Sequence, residues 1–134
     1  MKTLIKNCTI VNEGVNFIGS VLINEKIISN IYKSGESLPS ADKIIEADGL
    51  ILFPGLIDDQ VHFREPGNTH KGDIASESSS AVLGGVTSFM EMPNTNPPAT
   101  TLEILEEKYS IASKCSLSNY SFYLGGTNDN LNEI

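Results

Sequence analysis

Residues 73–93 read Asp-Ile-Ala-Ser-Glu-Ser-Ser-Ser-Ala-Val-Leu-Gly-Gly-Val-Thr-Ser-Phe-Met-Glu-Met-Pro, and the fold class is decided here. The first half puts Ile74, Ser78, Ala81 and Val82 on one side at helical spacing, which predicts a helix of about three turns over 73–83. Gly84-Gly85 ends it, because glycine enters the left-handed backbone that closes a helix C-terminus without a steric penalty. The second half, 86–92, is a compact run of β-branched and aromatic residues and reads as a strand. It stops at Pro93-Asn-Thr-Asn-Pro-Pro98, a loop that neither a helix nor a central strand crosses. Helix, glycine stop and buried strand in succession are the rhythm of a parallel α/β sheet or barrel.

The same rhythm extends in both directions. Upstream, 56–63 reads as the first strand of the series. Downstream, Thr100 with Glu103 forms a capping-box signature, and Leu102, Leu105, Tyr109 and Ala112 repeat at helical spacing down one face. A third strand is expected over 120–124, closed by Gly125-Gly-Thr-Asn-Asp129. Before residue 49 the pattern differs: short β-branched runs at 4–11, 17–23, 26–32 and 43–47 predict a small antiparallel β module. Its hairpin turns fall at Asn12-Glu13-Gly14 and Asn24-Glu25, and 34–39 reads as a surface loop. Two domains are therefore expected, a β module at 1–51 and the start of an α/β domain at 52–134. The latter has room for only two to three strand-helix units, whereas a closed barrel takes about eight units and roughly 250 residues, so the chain reads as the front part of a longer protein.

Composition narrows the function classes. Of 134 residues 40% are apolar, enough for a core, which excludes disorder throughout. Nine Lys and Arg against 17 Asp and Glu give a net charge of -8, a surface that repels a nucleic-acid backbone or an anionic membrane. Cys8 and Cys115 are far apart and outside any CxxC spacing, which suits reduced thiols and excludes a zinc site built on cysteine. The start carries no apolar run of signal-peptide length, so a cytoplasmic protein is expected.

Side chains alternate along a strand, so Asp58, Gln60, His62 and Arg64 are expected on one side of the first strand, with Arg64 at its C-terminal end. Folds of this class place their chemistry at that end. Asn94, presented by Met92-Pro93-Asn94-Thr95 after the second strand, and Gly125-Gly126 after the third belong to the same rim. Other polar residues read more blandly: Asp73 as a charge favoured at a helix N-terminus, His70 as a loop residue, Glu91 without a role, and Glu103, Glu106 and Glu107 as a solvated helix face.

Pro54-Gly-Leu-Ile-Asp-Asp-Gln-Val-His-Phe-Arg-Glu-Pro-Gly67 resembles the signature of the dihydroorotases of the amidohydrolase superfamily. Gly84-Gly-Val-Thr87 and Met92-Pro-Asn-Thr95 match further segments of that family in order and separation. The resemblance implies a (β/α)8 barrel with a β-sandwich appendage, and the reversible hydrolysis of L-dihydroorotate to N-carbamoyl-L-aspartate in pyrimidine biosynthesis. It implies one or two zinc ions, held in part by a His-x-His pair on the first strand. Here the pair reads Gln60-Val61-His62, so only His62 and, as a departure, Gln60 map onto it. Arg64 and Asn94 match the family residues that hold the substrate carboxylate. The other metal ligands and the catalytic aspartate belong to later strands, so no catalytic residue is expected within this chain and the chain alone is expected to be inactive. The implied partner is a small-molecule substrate, with a homodimer possible for the longer protein. A non-catalytic scaffold related to dihydroorotase, motivated by Gln60, and a hydantoinase or allantoinase type of cyclic amidohydrolase stand as alternatives.

Overall fold

In the computed structural model, which describes residues 1–134, strands fill the first part of the chain and strand–helix alternation the second. Two units result, Met1–Pro54 and Gly55–Ile134.

The first unit is a five-stranded sheet of β1 (Lys2–Asn12), β2 (Val15–Asn24), β3 (Ile27–Lys33), β4 (Lys43–Glu46) and β5 (Ile51–Leu52). Its order is β3-β2-β1-β4, with β5 also on β1. The two hairpins are antiparallel, as expected, and turn at Glu13-Gly14 and Glu25, whose positive φ angles of 49°, 76° and 57° fit tight reversals. The sheet as a whole is nevertheless mixed, because β4 and β5 run parallel to β1. The connecting segment carries the chain back to the start of β1, where Asp42 N–H donates to Lys2 O at 3.0 Å and Lys2 N–H to Asp42 Oδ2 at 2.7 Å. A register break in β1 between Ile5 and Cys8, with Asn7 at φ 58°, divides the strand: Thr3–Lys6 pair with β4, Thr9 and Ile10 with β5. Cys8, Ile10, Val21 and Ala47 form the core of this unit, and Cys8 is fully buried, which pushes its thiol up in pKa and keeps it unreactive.

The second unit is a parallel sheet of β6 (Leu56–Val61), β7 (Val86–Glu91) and β8 (Asn119–Phe122) in that order, linked by α1 (Ile74–Leu83) and α2 (Leu102–Cys115). This is the strand–helix succession read from residues 73–93. Asp73 caps α1, its side chain accepting from Ser76 N at 2.7 Å, which lowers its carboxyl pKa. Phe89 is the centre of the core, 1% exposed, with its ring 4.5 Å from that of Phe63 and 6.3 Å from that of Phe122. Burying such a ring contributes roughly 2–3 kcal/mol. Ile74, Ala112, Val61 and Leu105 complete the cluster. No helix is long and apolar enough to cross a membrane.

Three local expectations change. The cap of α2 is Thr101, one residue after the anticipated Thr100, with its hydroxyl accepting from Ile104 N. The buried stripe of α2 runs through Leu105, Lys108 and Ala112, while Leu102 and Tyr109 are exposed, because the helix lies against β7 and β8 with its lysine inward. The first strand, anticipated over 56–63 as buried, ends at Val61 and is exposed from Leu56 to Gln60. It has a strand neighbour on one side only, so nothing covers its outer edge and free face.

Candidate functional site

Beyond Val61 the chain stays extended for His62 and Phe63 and then turns. Val61 and Phe63 pack into the core cluster, so alternation sends Gln60 and His62 to the opposite, exposed face. Asp58 is exposed as well, but the register against β7 is irregular between Asp58 and Val61, which breaks the alternation there; its carboxylate accepts from Gln60 N at 3.1 Å. The alternation stops at Arg64, whose φ of 73° is left-handed, a costly conformation for a residue with a β carbon. Two contacts hold that bend: Arg64 N–H donates to Glu91 Oε1 at 2.9 Å, and Arg64 O accepts from Asn68 N at 3.0 Å.

The loop after β7 lies against this bend. Asn96 N–H donates to Pro66 O at 3.1 Å. A β carbon at Gly67, where φ is 86°, would run into the Asn96 carbonyl oxygen, so only glycine lets the two loops approach this closely. Within this contact His62 Nδ1 lies 2.8 Å from Asn94 Oδ1. With the amide oxygen as acceptor, the ring donates from Nδ1, leaving Nε2 of His62 and the Nδ2 amide of Asn94 unengaged. His62, Arg64 and Asn94 thus sit on adjacent segments of one strand-end rim, and Gln60 lies two residues before His62. A recess of about 380 Å³ opens beside them between the ends of the three strands, lined by Gln60, Met92, Pro93, Tyr123 and Gly125 among others. Tyr123 braces it by donating its hydroxyl to Asp59 O at 3.1 Å. His70 is exposed in the preceding loop and has no part in this arrangement.

Two residues given no role from the sequence lie under the rim. Glu91 and Lys108 have side chains 1% and 0% exposed, with Lys108 Nζ 3.1 Å from Glu91 Oε2. The ammonium also donates to Met92 O at 3.1 Å and lies 4.9 Å from the centre of the Phe122 ring. Burial pushes the Glu91 carboxyl up and the Lys108 ammonium down, and each charge partly offsets the other's shift. A signal for them existed: Glu91 is two residues past Phe89 in a strand, and Lys108 lies between Leu105 and Ala112 in a helix, both in buried phase.

A family model described as dihydro-orotase-like matches residues 49–127. The chain belongs to the dihydroorotase-like family. Among its relatives are a dihydroorotase of Enterococcus faecalis, 42% identical over 116 residues, which cover 85% of this chain and 27% of that protein, and one of Streptococcus thermophilus, 40% identical over 114 residues, 83% and 26%. Among solved structures, L-hydantoinase (dihydropyrimidinase) from Arthrobacter aurescens superposes with a TM-score of 0.90 at 30% identity, covering 98% of this chain and 29% of that one. This dihydroorotase-like chain therefore spans about a quarter of the length of the relatives it matches. Its relatives are hydrolases, and its architecture is that of the N-terminal region of the hydantoinase amidohydrolases, a β module followed by the opening strand–helix units of a barrel.

Proposed function

We propose that the protein of which these residues are part is a dihydroorotase, hydrolysing L-dihydroorotate reversibly to N-carbamoyl-L-aspartate, and that Arg64 and Asn94 hold the ring carboxylate. The observation that carries this reading is the pairing at the rim. Asn94 spends its amide oxygen on His62, which leaves its Nδ2 donor for an anion, and Arg64 at the neighbouring bend supplies a guanidinium fork suited to a carboxylate. A hydantoin ring offers no carboxylate for this pair, whereas dihydroorotate does. The likeness in sequence to dihydroorotases points the same way. The likeness in structure to hydantoinases supports the competing cyclic-amidohydrolase reading. Rates on dihydroorotate, hydantoin and dihydrouracil, measured with the complete protein, separate them: a preference of at least about 100-fold for dihydroorotate is expected. Equal or faster turnover of hydantoin overturns the assignment.

Zinc, which the resemblance implies, fits these residues poorly. No group of three or more His, Cys, Asp or Glu side chains comes together here. His62 brings one free ring nitrogen, and Gln60 brings a neutral carboxamide, a weak donor to zinc beside imidazole. Gln60→His places two imidazoles two residues apart on one strand face, within reach of a single ion. The zinc affinity of the protein, read by competition with a chelator, is expected to rise about tenfold or more in that variant. An unchanged affinity favours the non-catalytic scaffold, as does a folded, complete protein that turns over none of the three compounds. What this chain's own residues supply to the reaction is binding and orientation: the clamp fixes the acid group, so the amide bond to be opened is held in one orientation against whatever attacks it.

A further inference from the structure

The substrate clamp leaves a buried pair of charges beneath it unexplained. Taking two ions out of water costs more than their attraction recovers in many proteins, and apolar residues of similar volume often leave the fold as stable or more so. Glu91 and Lys108 are both sealed from solvent, so stability alone gives no account of them. Their contacts do. Glu91 Oε1 accepts the Arg64 N–H at 2.9 Å and so fixes a backbone bend at φ 73° that the chain otherwise disfavours. Lys108 Nζ holds Glu91 Oε2 at 3.1 Å and Met92 O at 3.1 Å, two residues before Asn94. Pro93 between them removes backbone freedom, and its carbonyl accepts from Thr95 N and Ala99 N, both at 2.9 Å. Glu91 therefore ties the segment that carries Arg64 to the end of β7, and the ammonium on α2 anchors both Glu91 and the Met92 carbonyl from which the Asn94 segment departs.

We propose that the buried Glu91–Lys108 pair is the positioning device of the site, setting Arg64 and Asn94 at the separation a ring carboxylate requires. Neither residue reaches the substrate, so both are positioning residues, and the inference rests on the dihydroorotase reading above. An apolar pair in their place would preserve the core and loosen the rim.

The test compares two double variants of the complete protein, chosen because neither leaves an unpaired buried charge. Glu91→Leu with Lys108→Met removes every contact described. Glu91→Gln with Lys108→Met keeps an oxygen that can accept the Arg64 N–H. Two readouts are needed: hydrogen exchange of the Arg64 amide relative to that of Phe89, and the preference for dihydroorotate over dihydrouracil, which is the same ring without the carboxylate. In the Leu/Met variant, Arg64 exchange is expected to rise at least about tenfold and the preference to fall about tenfold or more through KM, with turnover of dihydrouracil unchanged. The Gln/Met variant is expected to recover most of the Arg64 protection. Unchanged Arg64 exchange in the Leu/Met variant overturns the proposal, and so does lost protection with the preference intact, which is the signature of a merely structural pair. A wild-type protein with no preference for the carboxylate overturns the dihydroorotase reading instead, and the Arg64 exchange rate then decides the positioning by itself.

Discussion

Lys108→Met is expected to lower the free energy of unfolding by about 3–5 kcal/mol at neutral pH, the loss seen when one partner of a buried ion pair is removed. Such a loss is a large share of the roughly 5–15 kcal/mol that holds an ordinary domain together. The cause is Glu91, which keeps its buried position and its bond to Arg64 N but loses the cation 3.1 Å away. Its carboxyl is already raised by burial, and Lys108 is the strongest influence holding it down, so the variant raises it further. For a carboxyl whose folded value lies above its unfolded one, the favourable contribution is complete below the unfolded value and is lost as pH rises through the folded one. The defect should therefore be smallest at and below pH 4.5, the ordinary carboxyl value, and grow as pH rises toward neutral and alkaline values. Glu91→Gln is the mirror case. It strands an ammonium whose pKa burial lowers, so its defect is present at neutral pH and shrinks as pH climbs toward the ordinary lysine value of 10.5. Denaturant midpoints for both variants at acidic, neutral and alkaline pH give the comparison. Two stability curves that shift with pH in the same direction would show that the two charges do not answer one another.

That pair also marks the limit of what could be read from the residues. Hydrophobic phase exposed the strands and helices of 55–134 well, because Phe89, Ile74, Ala112 and Phe122 sit where apolar periodicity puts them. Turn chemistry located both hairpins of the first unit, since Glu13-Gly14 and Glu25 adopt the left-handed backbone such reversals need. The mixed direction of that first sheet was not readable. Whether β4 runs with or against β1 depends on a long-range return through Asp42, and no local pattern encodes it. The site divides in the same way. Gln60, His62, Arg64 and Asn94 announce themselves as polar groups at strand ends, yet the bend at Arg64 breaks the alternation that first placed it beside His62. From the sequence Glu91 reads without a role and Lys108 is passed over, because a charged residue in a buried phase is ordinarily taken as a break in the pattern rather than as part of the core. Each looks anomalous alone, and only the packing of α2 against β7 makes them a pair.

The clamp itself sets the second large expectation. Arg64→Gly in the complete protein should reduce kcat/KM for dihydroorotate by roughly 100-fold, about 3 kcal/mol, most of it in KM. Glycine is the informative replacement because the Arg64 backbone stands at φ 73°. It accepts that conformation freely, keeps the N–H that Glu91 binds, and removes the guanidinium alone. The fold is then expected to be as stable as the wild type or slightly more so, which separates loss of binding from loss of structure. Arg64→Lys should fall between the two, since an ammonium keeps the charge without the planar fork. Activity on dihydrouracil should be the same in all three proteins, because the group that Arg64 grips is absent from that ring. A drop on dihydrouracil as deep as that on dihydroorotate would mean that Arg64 serves the ring or the reaction rather than the carboxylate. The rim would then have to be reassigned with Asn94 as its only anion-binding group.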